Sequence, residues 1–250
     1  MALTLTQTQL DDKIITILRD VKIPENYIGF KYVKTAIELV VYQKASTFNC
    51  KDLYNQIATI YNANAYTVKV HIRKMVNFID SQHIVHETLH NHFDMPLPTE
   101  LFYYKLVSSE FIALIAYLIQ LKYTKLKTND EIELNKFNYK LTKLFYLLGI
   151  PVSYKGYIYL QKAILLALDN RSLIKPMSQI YILLANIFND SVSSVTNAIN
   201  AVVYASAKHC DIDLYNLLFI HILNKYNRHV NNKEFIDIVC DFLLSDIGIY

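Results

Sequence analysis

The chain has 250 residues, a formal net charge of +3 and a pI near 8.5, which permits nucleic-acid binding without requiring it. Only four Gly and five Pro interrupt it, which favours long helices over β-hairpins. The apolar run from Phe111 to Leu121 is shorter than the roughly 20 residues that cross a bilayer, so no membrane span is expected. Cys50, Cys210 and Cys240 are far apart and odd in number, which excludes a disulfide framework and indicates a reducing cytosol.

Apolar residues recur at spacings of three and four along the chain, which predicts an all-α protein. In the first half, Pro24 ends a first helix, because the residue before a proline disfavours helical geometry. Gly29 opens the second helix, and Ser108 and Glu110 are expected to cap the fifth. The predicted helices of this half are one around Ile14–Leu18, then Gly29–Val41, Cys50–Tyr61, Ala65–Asp80 and Ser108–Tyr123.

A short turn separates the third and fourth predicted helices. It contains Asn62, Ala63 and Asn64, and asparagine tolerates a left-handed backbone. Two helices joined by a turn of three to four residues form a helix-turn-helix motif. The helix that begins at Ala65 is therefore the predicted recognition helix.

The second half of the chain repeats the first. Ile23-Pro24 returns as Ile150-Pro151, and a Tyr, a Gly and a second Tyr follow at the same spacing in both halves. A repeat this long is a duplicated domain, since solenoid units span about 20–50 residues. The helices predicted in this half are Leu141–Leu148, Gly156–Leu168, Met177–Phe188, Ser193–Ala207 and Asn232–Leu244. We predict two tandem helix-turn-helix domains of about six helices each, at residues 1–124 and 131–250, with a polar linker at residues 125–130.

The second copy carries a family resemblance. Its string Leu148-Gly149-Ile150-Pro151, followed by Lys155-Gly156-Tyr157, resembles the C-terminal DNA-binding effector domain of the master sporulation response regulator. The segment from Asn232 to Ile236 is similar to the end of that domain, and the first copy shows the same plan more faintly. The resemblance implies six-helix domains whose second motif helix reads the major groove of a short operator. Both halves of the chain are taken up by effector domains, so control by aspartyl phosphorylation is not expected.

In the first recognition helix, burial of Val68, Ile72 and Val76 would turn the opposite face toward solvent. An arginine on that face can donate two hydrogen bonds to a guanine edge, and lysines can neutralise phosphates. The predicted DNA-binding residues of this copy are Tyr66, Thr67, Lys69, Val70, His71, Arg73, Lys74 and Asn77. The alternative interpretation is a solvated charged face.

The second recognition helix presents hydroxyl and amide side chains and has no charge before Lys208. Asparagine can read adenine through two hydrogen bonds, but a neutral surface gains little affinity from counterion release. The predicted DNA-binding residues of this copy are Ser193, Ser194, Thr196, Asn197, Asn200 and Lys208. Two hypotheses stay open: the copy adds A·T-leaning discrimination to an anchor supplied by the first copy, or it serves as a dimer or partner surface.

Candidate catalytic and metal-binding residues are few. Four histidines follow the first motif, but their spacing fits no standard zinc pattern, so we predict a polar loop and no metal site. These are His83, His86, His90 and His92. Glu110 and Glu234 are interpreted as helix caps rather than catalytic acids. The sequence contains no nucleotide-binding or hydrolase motif, so neither enzyme activity nor a cofactor is expected.

The sequence therefore predicts a cytoplasmic bacterial protein, associated with the nucleoid or a plasmid, that binds double-stranded DNA. The leading interpretation is a transcriptional regulator that reads a bipartite operator through two recognition helices about 34 Å apart. A homodimer or higher assembly on DNA is left open. One alternative is a DNA-partition or DNA-organising adaptor of a plasmid or phage. The other is a protein-interaction module that antagonises a related sporulation regulator.

Overall fold

The structure, a computed structural model, describes residues 3–43, 49–79, 82–98, 106–226 and 229–245. Within these ranges every regular element is a helix, which confirms the predicted all-α fold. The helices are α1 (Gln7–Asp20), α2 (Ile28–Gln43), α3 (Cys50–Ile60), α4 (Ala65–Asn77), α5 (Gln82–Phe93), α6 (Ser108–Tyr123), α7 (Asn129–Leu147), α8 (Lys155–Asp169), α9 (Ser178–Phe188), α10 (Val192–His209), α11 (Ile212–Tyr226) and α12 (Asn232–Leu244). A 3-10 turn at Arg171–Ile174 precedes α9.

The helices form two compact units, one for each copy of the repeat. Helices α1 to α6 belong to the first unit and α8 to α12 to the second, and the division falls inside α7, between Lys136 and Phe137. Helix α7 begins at Asn129, so it is longer than the helix predicted at Leu141–Leu148. Its first residues fall in the stretch that the sequence suggested as a polar linker.

In the first unit, α2 is the central helix and packs against α3, α4 and α6. The contacts are apolar: Val33 and Ile37 of α2, Ile57 of α3 and Ile72 of α4 are all fully buried. Burial of one such aliphatic side chain stabilises a fold by about 1.5–3 kcal/mol. The packing fixes one face of α4 in the core and leaves the other face accessible. In the second unit, α8 takes the place of α2 and packs against α9, α10 and α12.

The repeated glycine marks the point where the central helix meets the recognition helix. A Cβ atom at Gly156 would lie 2.0 Å from the carbonyl oxygen of Ala198 in α10. At Gly29, a Cβ atom would lie 2.5 Å from Cγ of Met75 and 3.0 Å from the carbonyl oxygen of His71 in α4. Glycine therefore permits both close crossings, because a Cβ atom would displace the Met75 side chain at Gly29 and the backbone of α10 at Gly156.

Both recognition helices begin at a left-handed turn followed by a side-chain cap. Asn62, in the predicted turn, has a φ angle of 49°, and its equivalent Asn189 has one of 50°, a left-handed geometry that asparagine tolerates. The side chain of Asn64 accepts a hydrogen bond from the amide of Tyr66 at 2.8 Å. Ser191 Oγ accepts one from the amide of Ser194 at 3.1 Å. Such caps stabilise a helix start by about 1 kcal/mol each.

Of the two predicted glutamate caps, one is confirmed and one is wrong. The Glu234 side chain accepts a hydrogen bond from the amide of Asn231, whose own side chain accepts from the amide of Glu234, which completes a capping box. Helix α6 instead has Val107 at its N-cap position, with no side-chain hydrogen bond. Ser108 already lies in the first turn, and Glu110 is buried, with 1% of its surface exposed.

The predicted polar loop of histidines is also wrong, because this segment forms α5. Val85, Leu89 and Phe93 are buried at a spacing of four and give α5 its inner face. The intervening histidines concealed that periodicity in the sequence. Helix α11, which the sequence analysis did not predict, is apolar on more than one side and so lacked a clear amphipathic pattern.

Candidate nucleic-acid interface

Helix α4 presents a broad accessible face in the first unit. Val68, Ile72, Met75 and Val76 are buried, as the predicted helical geometry requires. The remaining side chains of the helix are exposed or half-buried, and Tyr66 has 73% of its surface exposed. The helix contains two lysines and one arginine but no acidic residue, so the accessible face is cationic.

The accessible residues of α4 fall on two stripes. One stripe lines a groove of about 780 Å³, which we name the α3–α4 groove. Its lining residues are Cys50, Lys51, Tyr54 and Asn55 of α3, Ala65, Tyr66, Lys69, Arg73 and Asn77 of α4, and Val107, Ser108 and Ser109 at the start of α6. The second stripe lies outside the groove and contains Thr67, Val70 and Lys74. Both stripes are accessible to a ligand that approaches α4.

His71, one of the predicted DNA-binding residues of α4, is constrained by its neighbours. It is half-buried, and its Nδ1 donates a hydrogen bond to the carbonyl oxygen of Thr67 at 2.8 Å. Its ring packs edge-on against Tyr32 of α2, with 6.0 Å between ring centroids. These contacts hold the imidazole against the body of the first unit.

In the second unit, α10 carries the predicted polar surface, but the three predicted hydroxyls have partners inside the unit. Ser193 Oγ lies 3.1 Å from Ser191 Oγ. Ser194 Oγ donates to the Asp190 carboxylate at 2.9 Å, and Thr196 Oγ1 donates to the carbonyl oxygen of Val192 at 2.8 Å. Asn197 and Asn200 are exposed. The exposed side chains of α10 suited to reading a base are therefore these two amides.

A carboxylate at the start of α10 was missed by sequence reasoning. Asp190 accepts hydrogen bonds from Lys155 Nζ and from the Tyr159 hydroxyl, both at 2.6 Å. These donors, with Ser194 and the amide of Ser191, hold the pKa of Asp190 well below its usual range. The same contact raises the pKa of Lys155. Alignment of the two copies could have pointed to this residue, because the first copy has Ala63 where the second has this aspartate.

Lys208 lies near the C-terminal end of α10, and its Nζ is 4.5 Å from the centroid of the Tyr204 ring. That distance is typical of a cation–π contact. The lysine is exposed, so its ammonium group remains accessible.

The helices that precede the recognition helices differ in surface chemistry. Helix α9 contains no charged residue and exposes Ile182, Leu183 and Ile187, with 50%, 37% and 51% of their surfaces accessible. Helix α3 has the exposed polar residues Asn55 and Gln56 at the positions of the first two. An exposed apolar face is typical of protein contact rather than of phosphate contact.

The histidines of α5 serve the packing of the first unit. His92 contacts the Asp20 carboxylate through Nε2 at 2.6 Å and the Lys13 ammonium through Nδ1 at 2.9 Å. His90 Nδ1 donates to the carbonyl oxygen of Met95. Across the described ranges, the structure brings together no group of three or more His, Cys, Asp or Glu that could hold a metal ion. None of the helices described is long and apolar enough to cross a lipid bilayer.

Fold and surfaces together define the class of protein: two helix-turn-helix units on one chain, the first with a cationic recognition helix. The family "Sporulation initiation factor Spo0A C terminal" matches the chain twice, over residues 14–119 and 141–243. Because the two matches cover most of the chain, the protein belongs to this family and contains two tandem copies of its domain. This confirms the resemblance found in the sequence. Domains of this family are DNA-binding effector domains.

Proposed function

We propose that this protein is a cytoplasmic transcriptional regulator that binds double-stranded DNA and reads a bipartite operator through α4 and α10. The observation that carries the proposal is the cationic accessible face of α4, on a helix-turn-helix unit that belongs to a family of DNA-binding effector domains. Such a protein would act on the nucleoid or on a plasmid. The proposal assigns it no enzymatic activity.

The first unit supplies most of the affinity in this proposal. Arg73 donates two hydrogen bonds to a guanine edge, the commonest specific contact in the major groove. Lys69 and Lys74 neutralise phosphates and release the counterions condensed on them. Tyr66 and Thr67, in the first turn of α4, are suited to contacts with the DNA backbone.

The second unit adds discrimination rather than affinity. Asn197 and Asn200 are exposed and can read adenine, whereas Asp190 neutralises Lys155 before the helix start and so leaves this lysine less able to bind phosphate. Because the two units are tethered, binding of the first raises the effective concentration of the second near its half-site. A unit with low DNA affinity of its own can therefore still contribute to sequence discrimination.

A second candidate role for the second unit is contact with another protein. The exposed apolar face of α9 at Ile182, Leu183 and Ile187 favours it. In this role the second unit would join two copies of the chain on DNA or contact a related regulator.

Selection of bound sequences from a random duplex pool tests the proposal. We expect two conserved half-sites whose centres lie about 34 Å apart along the duplex. A single half-site would show that only one of the two units reads DNA. Footprints at scattered promoters support a regulator, and one clustered array would support a partition adaptor instead. Failure to bind any duplex in dilute buffer, together with capture of a related sporulation regulator, would support the antagonist.

A further inference from the structure

The α3–α4 groove has the size and the concave form of a small-molecule site. Its volume of about 780 Å³ lies inside the range of about 300–1,000 Å³ that is typical of ligand pockets. It lies wholly within the first unit and is bounded by α3, α4 and the start of α6. Of the residues expected to bind DNA, four contribute to its lining.

The charge of the groove selects an anion. Lys51, Lys69 and Arg73 line it, and its described lining residues include no carboxylate. All three cationic side chains are exposed, so a ligand entering the groove can reach them. Ser108 and Ser109, in the first turn of α6, add hydroxyl donors to the lining. A guanidinium fork together with ammonium groups is the donor set that proteins use for phosphate.

The rings of the groove select a planar group. Tyr66 is exposed at the first turn of α4, and Tyr54 is half-buried on α3. The Tyr54 hydroxyl, like any tyrosine hydroxyl at neutral pH, is protonated and can donate a hydrogen bond. Asn55 and Asn77 supply amide groups that can both donate and accept. A planar heterocycle matches these groups, since bases stack on tyrosine and hydrogen-bond to amides.

We propose that the α3–α4 groove binds a phosphorylated small molecule with a planar ring, of nucleotide size, and that this ligand competes with duplex DNA. The competition rests on the proposed function, because Lys69 and Arg73 would serve both ligands. A nucleotide in the groove engages both cations and covers one stripe of α4. The bound ligand therefore releases the protein from its operator.

Isothermal titration of the full chain with the four common nucleoside 5′-monophosphates, without DNA, tests the site. We expect at least one of them to bind with a Kd below about 100 µM, and its nucleoside and inorganic phosphate alone to bind at least about tenfold more weakly. The matched variants are Lys69→Ala and Lys74→Ala, because both lysines are exposed on α4 but only Lys69 lines the groove. The Lys69→Ala variant should weaken nucleotide binding at least about tenfold, and Lys74→Ala should leave it unchanged.

The effect on DNA is measured separately by fluorescence anisotropy with a selected duplex. A saturating nucleotide should raise the apparent Kd for the duplex, and Lys69→Ala and Lys74→Ala should each weaken duplex binding. If no nucleotide binds below about 1 mM, or if the two variants bind nucleotide equally, the inference is wrong while the proposed function stands. If nucleotide binds in the groove but the chain binds no duplex, the groove is a ligand site and the proposed function is wrong. Unchanged duplex affinity at saturating nucleotide would overturn the competition.

Discussion

At the scale of single residues, Asp190 distinguishes the two units most clearly. It occupies the turn before the second recognition helix, where it binds Lys155, Tyr159 and Ser194. The carboxylate neutralises the nearby lysine, so the turn offers no free cation to a DNA phosphate. In the first unit the positions equivalent to Lys155 and Asp190 are Ile28 and Ala63, so this ion pair belongs to the second unit.

The substitution Asp190→Asn should strengthen binding of the full chain to DNA. It removes the anionic partner of Lys155 and frees this lysine for a phosphate contact, so we expect a several-fold lower Kd and a steeper dependence on salt, by about one unit of slope. Anisotropy titrations at several salt concentrations measure both quantities. Asp213→Asn is the matched control, because this exposed carboxylate lies on α11. Equal effects of the two substitutions would show that only net charge matters.

A second residue cluster makes the stability of the first unit depend on pH. Glu38 and Asp11 both contact Lys34, whose Nζ is 3.3 Å from Asp11 Oδ2. Burial and the neighbouring Asp11 carboxyl raise the pKa of Glu38 from 4.5 to about 7. The hydrogen bond from Glu38 lowers the pKa of Asp11. The folded protein therefore keeps a proton on Glu38 where the unfolded chain has lost it.

Between pH 4.5 and about 7, the unfolded state binds fewer protons at Glu38 than the folded state, so the free energy of unfolding should fall as pH rises. Glu38→Gln retains a hydrogen-bond donor but cannot ionise, and we expect it to flatten this decline. Urea denaturation across the pH window provides the measurement. Glu133→Gln, at an exposed glutamate, is the control and should retain the decline. A decline of equal size in both variants would contradict the assignment to Glu38.

At the scale of helices, the close crossings at Gly29 and Gly156 position the recognition helices. Substitution by alanine should destabilise the two units to different extents. A Cβ at Gly156 meets a backbone carbonyl oxygen at 2.0 Å, which can move only if α8 and α10 separate. At Gly29 the nearest atom, at 2.5 Å, belongs to the flexible Met75 side chain.

We expect Gly29→Ala to destabilise the first unit by about 1–3 kcal/mol, as overpacking usually does, and Gly156→Ala to destabilise the second by more. Chemical denaturation followed by circular dichroism measures both. If Gly156→Ala is the milder change, or if either substitution stabilises the protein, the close crossing does not constrain the helices as described.

Some helices and contacts could be predicted from the sequence, and others could not. The predicted start of α4 at Ala65 is confirmed, because an asparagine turn, a cap and an apolar stripe all indicate the same position. Helix α5 was missed because histidines interrupt its apolar spacing. The exposed, cationic face of α4 followed from periodicity alone. The Asp190 contacts could not be predicted from periodicity, because they join α8 to the turn before α10 and depend on tertiary packing. Whether the predicted residues touch DNA stays a prediction.

At the scale of the whole molecule, duplication has produced two units with the same fold and different surfaces. The first pairs a cationic recognition helix with a polar α3. The second pairs a neutral recognition helix with an apolar α9. Two tethered units of unequal affinity can discriminate between long sites without a second chain. We therefore expect substitutions in the first recognition helix to weaken DNA binding more than substitutions in the second, which two equivalent DNA-binding units would not show.

Fluorescence anisotropy of the full chain with a selected duplex tests whether α4 supplies the affinity and α10 the sequence preference. The double substitution Arg73→Ala with Lys74→Ala should reduce affinity at least about thirtyfold, since each lost contact costs about 1–3 kcal/mol. Asn197→Ala with Asn200→Ala should retain most of the affinity and relax sequence preference. Lys125→Ala with Lys127→Ala, which removes the same charge outside α3 and α4, should bind like the unmodified protein. A larger loss of affinity from the asparagine pair than from the Arg73 and Lys74 pair would contradict the account.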